Sequence, residues 1–235
     1  MDDRFSRMEM LYGEEAMRRL AEARVAIFGL GGVGGYVAEA LVRSGVGALD
    51  LIDSDRVSLS NLNRQILALE DNVGMLKTDA AERRIRSINP QCRVIKHAIF
   101  YLPENRERIS FANYSYIADA VDTVTTKLLL AESAQKSGIP IISAMGTGNK
   151  RNPGMLQVAD LFETSVCPLA RVMRKECRKR GIKSLTVVYS REEPAEETVA
   201  EGERRAIPGS CAFVPATAGM LMAAKIVNDL AFGVK

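Results

Sequence analysis

"VAIFGLGGVGGYVAEALVRSGV", Val25 to Val46, is the most telling stretch of the chain. Its apolar run Val25-Ala26-Ile27-Phe28 reads as a buried strand. The cluster Gly29-Leu30-Gly31-Gly32-Val33-Gly34 then leads into a helical pattern. A strand, a glycine-rich turn and a helix make the phosphate-binding opening of a nucleotide fold, where the backbone comes close to the phosphate. The glycines leave two chemistries open. A dinucleotide implies hydride transfer, and ATP implies phosphate chemistry.

On either side of this turn, apolar runs alternate with helical patterns. Strands are expected at 24–28, 48–52, 92–98, 115–119 and 139–144, with helices at 32–44, 71–88, 103–110 and 125–137. Gly138 and Pro140 stop the last of these helices. Such alternation with short connections predicts an α/β fold: a Rossmann-like, doubly wound, mostly parallel sheet. The sheet is extended by C-terminal strands at 155–161 and 185–189, a basic helix at 168–180 and an apolar helix from about 214 to 230. Residues 1–22 read as an amphipathic helical arm, apolar at Met8, Leu11, Met17 and Leu20. Residues 23–145 form the nucleotide-binding part and 146–235 the substrate part of one domain. Residues 191–204 carry six glutamates and almost no large apolar side chain, which predicts a mobile surface loop.

Composition narrows the class. A chain of 235 residues, 47% apolar and 26% charged, has the balance of a globular protein with one sizeable core. A net charge of +3 does not by itself imply a nucleic-acid partner. The four cysteines include no CxxC pair, so neither a disulfide framework nor a four-thiolate zinc site is expected, and a reducing cytoplasm fits. The acidic, polar start "MDDRFSRMEM" does not read as a signal peptide. The most apolar stretch, Ala212 to Ala224, is too short for a bilayer span of roughly 20 residues.

The residues after the second strand bear on the nucleotide. Asp53 ends "LDLID" at the spacing of an acid that takes ribose hydroxyls. Beyond it, "DSDRVSLSNLNRQ" places Asp55, Asn61, Arg64 and Gln65 at the carboxyl end of the strand, where an open α/β sheet binds its ligand. A triphosphate needs cations on its outer phosphates, and nicotinamide transfer does not. Arg64 offers a planar fork and Lys77 a point charge. Asp122, at the end of "YSYIADAVD", is either the N-cap of the next helix or a carboxylate for Mg²⁺.

Gly29-x-Gly31-Gly32-x-Gly34, Asp53-x-Asp55, "SLSNLNRQ" (58–65), Lys77 and "DAVD" (119–122) resemble the ATP-dependent adenylating enzymes related to ubiquitin-activating enzyme and to the bacterial activators of thiamine and molybdopterin sulfur carriers. The resemblance implies that Asp53 takes the ribose, that Asn61, Arg64 and Lys77 contact ATP, and that Asp122 handles magnesium. "RFSRMEMLYG" is similar to the family's N-terminal arm, which implies a homodimer in which Arg7 reaches the phosphates of the partner's ATP. Members that activate sulfur carriers usually add two CxxC pairs that hold zinc. This chain has none, so no zinc is expected.

Cys92 and Cys177 read as structural, and Cys167, just ahead of a helix, is the one sensible thiol nucleophile. His97, the lone histidine, sits within a strand and reads as a core or surface residue. Arg171, Arg174, Lys175, Arg178, Lys179, Arg180 and Lys183 cluster against a single Glu176, an electrostatic footprint for a phosphate backbone. Arg83, Arg84 and Arg86 add a second cluster. "ISAMGTGNK" (142–150), the segment 158–194 and "GSCAFVPATAGMLMAAKIVNDL" (209–230) resemble the branch of the family that acts on transfer RNA, the threonylcarbamoyladenosine dehydratases. That resemblance implies adenylation of the threonyl carboxylate on a modified adenosine beside the anticodon, followed by ring closure. It also allows a sulfur-transfer protein as a partner, with no residue assigned to it. The competing readings are an activator of a ubiquitin-like sulfur carrier, a nicotinamide oxidoreductase and a non-enzymatic RNA-binding module.

Overall fold

A computed structural model of the chain describes residues 3–195 and 208–233. Seven strands form one sheet: β1 (Arg24–Phe28), β2 (Ala48–Ile52), β3 (Arg93–His97), β4 (Tyr116–Asp119), β5 (Ile141–Ala144), β6 (Leu156–Asp160) and β7 (Thr186–Ser190). Their order is β3-β2-β1-β4-β5-β7-β6. All neighbours are parallel except β6 and β7. The α/β architecture is the expected one, and every expected strand is present.

Successive residues of β1 point to opposite faces, as the two-residue period of a strand requires. Val25 and Ile27 join a core with α2 (Glu14–Glu22), α3 (Gly34–Arg43), α4 (Lys77–Ile88) and α7 (Phe213–Phe232). Ala26 and Phe28 join the opposite core with Ile117, Tyr101 and Leu130 of α5 (Val124–Ser137). A smaller core seats α6 (Pro168–Lys179) against β7 through Met173, Cys177, Val187 and Tyr189. Helices on both faces explain why the strands are continuous apolar runs. β2 and β3 lie on one side of β1 and β4 on the other, so the chain reverses direction across the sheet between β1 and β4. That crevice is the ligand position of doubly wound sheets.

Several boundaries differ from expectation. The helix expected over 71–88 begins only at Lys77. Ahead of it Arg56 bridges Leu76, and the amides of Gly74 and Lys77 bond to the carbonyls of Val57 and Asp55. This pairing delays the helix and puts Lys77 in its first turn. Residues 103–108 are 3-10 rather than α-helical, with Asn105 non-helical, because its side chain accepts from Leu102 N and donates to the carbonyl of Phe100. The arm divides into α1 (Ser6–Tyr12) and α2 at Gly13, whose φ is +83°. Met17 and Leu20 are buried, whereas Leu11 is exposed. Of the expected mobile loop 191–204, residues 196–204 lie outside the described residues. At its start, Glu192 accepts from the amides of Arg151 and Asn152.

His97 belongs to a buried network in the sheet. Its Nε2 lies 3.1 Å from Asp50, which also accepts a two-pronged pair from Arg24 at 2.7 and 2.9 Å and the hydroxyl of Tyr114. Burial pushes the Asp50 carboxyl up, but hydrogen bonds from His97 and Arg24 outweigh this and hold it below the usual carboxylate range. A depressed folded pKa contributes stability above the unfolded pKa, and this contribution is lost as pH falls through the folded value. Asp50→Asn is therefore expected to lower the urea midpoint at pH 7. It should also lose less stability than the parent between about pH 5 and pH 2. Parallel pH dependences of the two midpoints would exclude this role.

Candidate active site

At the β1–β4 crevice lies a cleft of about 580 Å³, a size that suits a nucleotide. The glycines divide by task. Gly29 has φ +86°, and a Cβ there would come within 2.7 Å of the Ala120 carbonyl oxygen. A Cβ on Gly34 would lie 1.8 Å from the Gly29 carbonyl oxygen. These two glycines let β1 turn into α3 against β4. Gly31 meets only Gln65 Nε2, at 3.9 Å, and Gly32 faces Pro215 of α7. Gly31 and Gly32 thus border the opening. Among the described residues no side chain caps α3, so its N-terminus faces the cleft as an anion site.

Asp53 ties the rim together. Its Oδ2 accepts from Leu30 N at 2.6 Å and its Oδ1 from Asp55 N at 2.8 Å. Asp55 accepts from Lys77 Nζ at 2.7 Å. Lys77 is buried, so its charge is held at the wall rather than in solvent. Asn61 is buried with its Oδ1 on Ser58 N, which fixes the turn before Arg64. Arg64 donates Nη1 to Ser60 O and Asn63 Oδ1, and among the described residues no carboxylate offsets its charge. Gln65 is buried beside it, and all of these residues line the cleft.

Asp122 lies opposite, exposed in the cleft, with Oδ1 accepting from Thr123 Oγ1. The N-cap position of α5 belongs to Thr123, so the capping alternative for Asp122 does not hold. The structure holds a further feature that the sequence motifs do not reveal. Lys127, fully buried, donates to both oxygens of Asp119, to Ser143 Oγ and to the carbonyl of Ala144. Asp119 in turn accepts from Val121 N and Ser143 Oγ. This cluster joins the carboxyl ends of β4 and β5, and through the Val121 amide it is tied to the residue before Asp122. A signal was available: an aspartate closing an apolar strand, and a lysine within the apolar run "TTKLLLA".

The apolar wall is likewise absent from the sequence motifs. Phe28, Ile52, Ile99, Phe100 and Tyr101 give the cleft an apolar lining, of which Phe100 is exposed and Phe28, Ile52 and Tyr101 are buried. Met145 to Gly148, Leu169, Pro208 and Ser210 also line it, so the start of α6 reaches the same cleft.

Other expected residues sit elsewhere. Arg7 is exposed on α1 and does not line the cleft of its own chain. Cys167 is buried and also lies off the cleft, so the structure gives it no access as a nucleophile there. Cys92 and Cys177 are buried, and burial pushes both thiols up to about 11, consistent with structural roles. The cations around α6 divide. Arg174 binds Thr164, while Lys179 and Arg180 pair with Glu176, and Arg180 also with Glu132. Arg171, Lys175, Arg178 and Lys183 are exposed with no carboxylate partner among the described residues. In the second cluster, Arg84 and Arg86 pair with Glu39 and Glu82, and Arg83 lies near Asp71. No described helix is long and apolar enough to cross a membrane.

The model of the ThiF family matches residues 5–231. The chain belongs to the ThiF family. One relative, the tRNA threonylcarbamoyladenosine dehydratase of Bacillus subtilis (strain 168), is 40% identical over 96% of this chain and 94% of its own length. The fold is similar to the crystal structure of the Escherichia coli tRNA N6-threonylcarbamoyladenosine dehydratase in complex with AMP. The TM-score is 0.89 and the identity 35%, over 97% of this chain and 93% of that one. The same Escherichia coli protein in complex with ATP gives a TM-score of 0.87 and 36% identity over the same shares.

Proposed function

We infer that this protein is an ATP-dependent tRNA threonylcarbamoyladenosine dehydratase. The observation that carries the reading is the convergence at one cleft of Asp53, Arg64, Lys77 and Asp122 with the start of a cationic helix, in a chain alike over nearly its whole length to dehydratases of that name. The threonyl carboxylate oxygen bonds to the α-phosphorus of ATP, and pyrophosphate leaves. The adjoining carbamoyl-threonine group then closes on the activated carbonyl. AMP departs carrying the carboxylate oxygen, so the nucleoside loses one water. The nucleophiles of both steps belong to the substrate, which suits a cleft whose described lining includes no thiol or histidine.

The chain's part is positioning and charge. Asp53, oriented by two backbone amides, takes the ribose hydroxyls. Gly31, Gly32 and the start of α3 approach the phosphates, and Asn61 and Gln65 shape that wall. Arg64 and Lys77 offset charge as pyrophosphate departs, with Asp55 holding Lys77 in place. Asp122 suits Mg²⁺, which takes one or two carboxylates and completes its shell with water and phosphate oxygens. When bound, the ion neutralises phosphate charge.

Arg7, exposed on the arm and outside its own cleft, is proposed to complete the site of a second copy in a homodimer. The exposed cations of α6 hold the RNA. In this reading residues 1–235 work as one unit, in the cytoplasm where the RNA is. No residue is assigned to a sulfur-transfer partner.

The test is to incubate the protein with ATP, Mg²⁺ and transfer RNA bearing threonylcarbamoyladenosine, then digest and weigh the nucleosides. The modified nucleoside should lose the mass of one water, and Asp122→Ala should not produce this change. An unchanged nucleoside, with pyrophosphate exchange only in the presence of a carrier protein ending in Gly-Gly, would overturn the reading in favour of sulfur-carrier activation.

A further inference from the structure

α6 ends in a turn that shapes the surface beyond it. Gly181 has φ +69°, its amide bonds to the Arg178 carbonyl, and the amide of Ile182 bonds back to Cys177. This paired closure is the Schellman arrangement, with Ile182 and Cys177 sharing the apolar contact that accompanies it. The turn brings Lys183 back beside Arg178 and Phe162, and these three with Gly181 and Ile182 line a shallow pocket.

Within it, the Arg178 guanidinium lies over the Phe162 ring at 5.2 Å from the centroid. Phe162 is half-buried against the α6–β7 core, so it backs the guanidinium rigidly. Arg178 is exposed and, unlike Arg180, has no carboxylate partner among the described residues. One side of the guanidinium is therefore covered by an aromatic ring, and the residue is otherwise exposed. Arg171, Lys175 and Arg178 fall at i, i+4 and i+7, a single stripe along α6. Leu169, in the first turn of α6, lines the cleft, while the stripe runs along the other side of the helix; Arg178 lies roughly 14 Å beyond Leu169 along the axis at about 1.5 Å per residue.

We propose that the Phe162-backed Arg178 guanidinium is a stacking site for one unpaired nucleobase of the anticodon arm, about one helix length from the cleft, with Arg171, Lys175 and Lys183 on the flanking phosphates. The proposal rests on the tRNA reading above. Unstacked bases of RNA loops are bound on aromatic rings and guanidinium planes, and phosphates by unpaired cations, so this surface combines both elements. It reads RNA by shape and is indifferent to which base stacks.

The proposal separates charge from planarity in a way that can be measured. Arg178→Lys keeps the charge and removes the plane; Phe162→Leu keeps the apolar body and removes the backing ring. Affinity for fluorescently labelled modified tRNA is measured across a salt series, with the KM for ATP as a control. Both variants are expected to bind about thirtyfold more weakly, the middle of the range for one stacked base. Both should keep the wild-type slope of affinity against salt and the wild-type KM for ATP. Lys175→Gln is expected to reduce that slope by about one. Wild-type affinity in Arg178→Lys and Phe162→Leu overturns the stacking site even if Lys175→Gln behaves as stated. An unchanged slope in Lys175→Gln removes the stripe from the RNA. A wild-type protein that binds no tRNA fails the tRNA reading itself, and with it the proposal.

Discussion

Arg64→Ala is expected to lower kcat/KM for dehydration by about 10²–10³-fold, the usual cost of removing one group aimed at charge that develops in the transition state. The thermal midpoint should stay within about a degree of the parent, because a surface side chain with only local bonds contributes little to stability. Among the described residues, Arg64 bonds to Ser60 O and Asn63 Oδ1, both in its own loop. Arg64→Lys should recover only part of the activity. A lysine restores a point charge but not the two-pronged geometry that matches phosphate oxygens. Kinetics at saturating tRNA with varied ATP separate the cases. A loss confined to the KM for ATP would mean that Arg64 binds ground state and transition state alike, and it would remove the arginine from the step in which pyrophosphate leaves.

Lys127→Met is the substitution with the largest expected effect on stability. It leaves Asp119 charged and fully buried with its chief partner gone, which costs about 3–5 kcal/mol. For a chain of this size that is a fall of roughly 6–20 °C in the thermal midpoint. The double substitution Asp119→Leu with Lys127→Met should recover most of that loss, because a buried ion pair is often replaceable by apolar side chains of similar size. Activity should not recover with it. Asp119 also accepts the amide of Val121, next to Asp122, and Lys127 holds the carbonyl of Ala144 on the cleft wall. A double variant as stable and as active as the parent would make the cluster structural only.

The two substitutions act on residues that differ in how visible they are in a sequence. Arg64 lies in a dense polar run, "SNLNRQ", directly after a strand, at the sheet edge where a cationic fork meets a ligand. Lys127 sits in a helix that also carries Glu132 and Lys136, where one more charged residue reads as solvated. Only the approach of β4, β5 and α5 shows that it is buried. The same holds for Asp50, whose partners Arg24, His97 and Tyr114 come from three other parts of the chain. The segment Ile99-Phe100-Tyr101 carries no periodic signal, and it joins the cleft only because the fold packs Tyr101 against Phe28.

Local pattern was enough for the parts whose cause is local. Alternation of apolar runs with helical periods, a glycine turn after β1 and a stop at Gly138 are each set within a few residues, so all seven strands and the nucleotide turn could be read directly. The start of α4 could not, because residues 73–77 are held by pairing with residues 55–57, some twenty positions earlier. Nor could the division among the basic residues of α6. Charge sums along a sequence, but pairing is decided in space: Glu176 and Glu132 neutralise Lys179 and Arg180, while the Phe162 ring lies against Arg178 and leaves it charged. A sequence can announce a cationic helix. Which of its cations remain free for a partner depends on what folds against it.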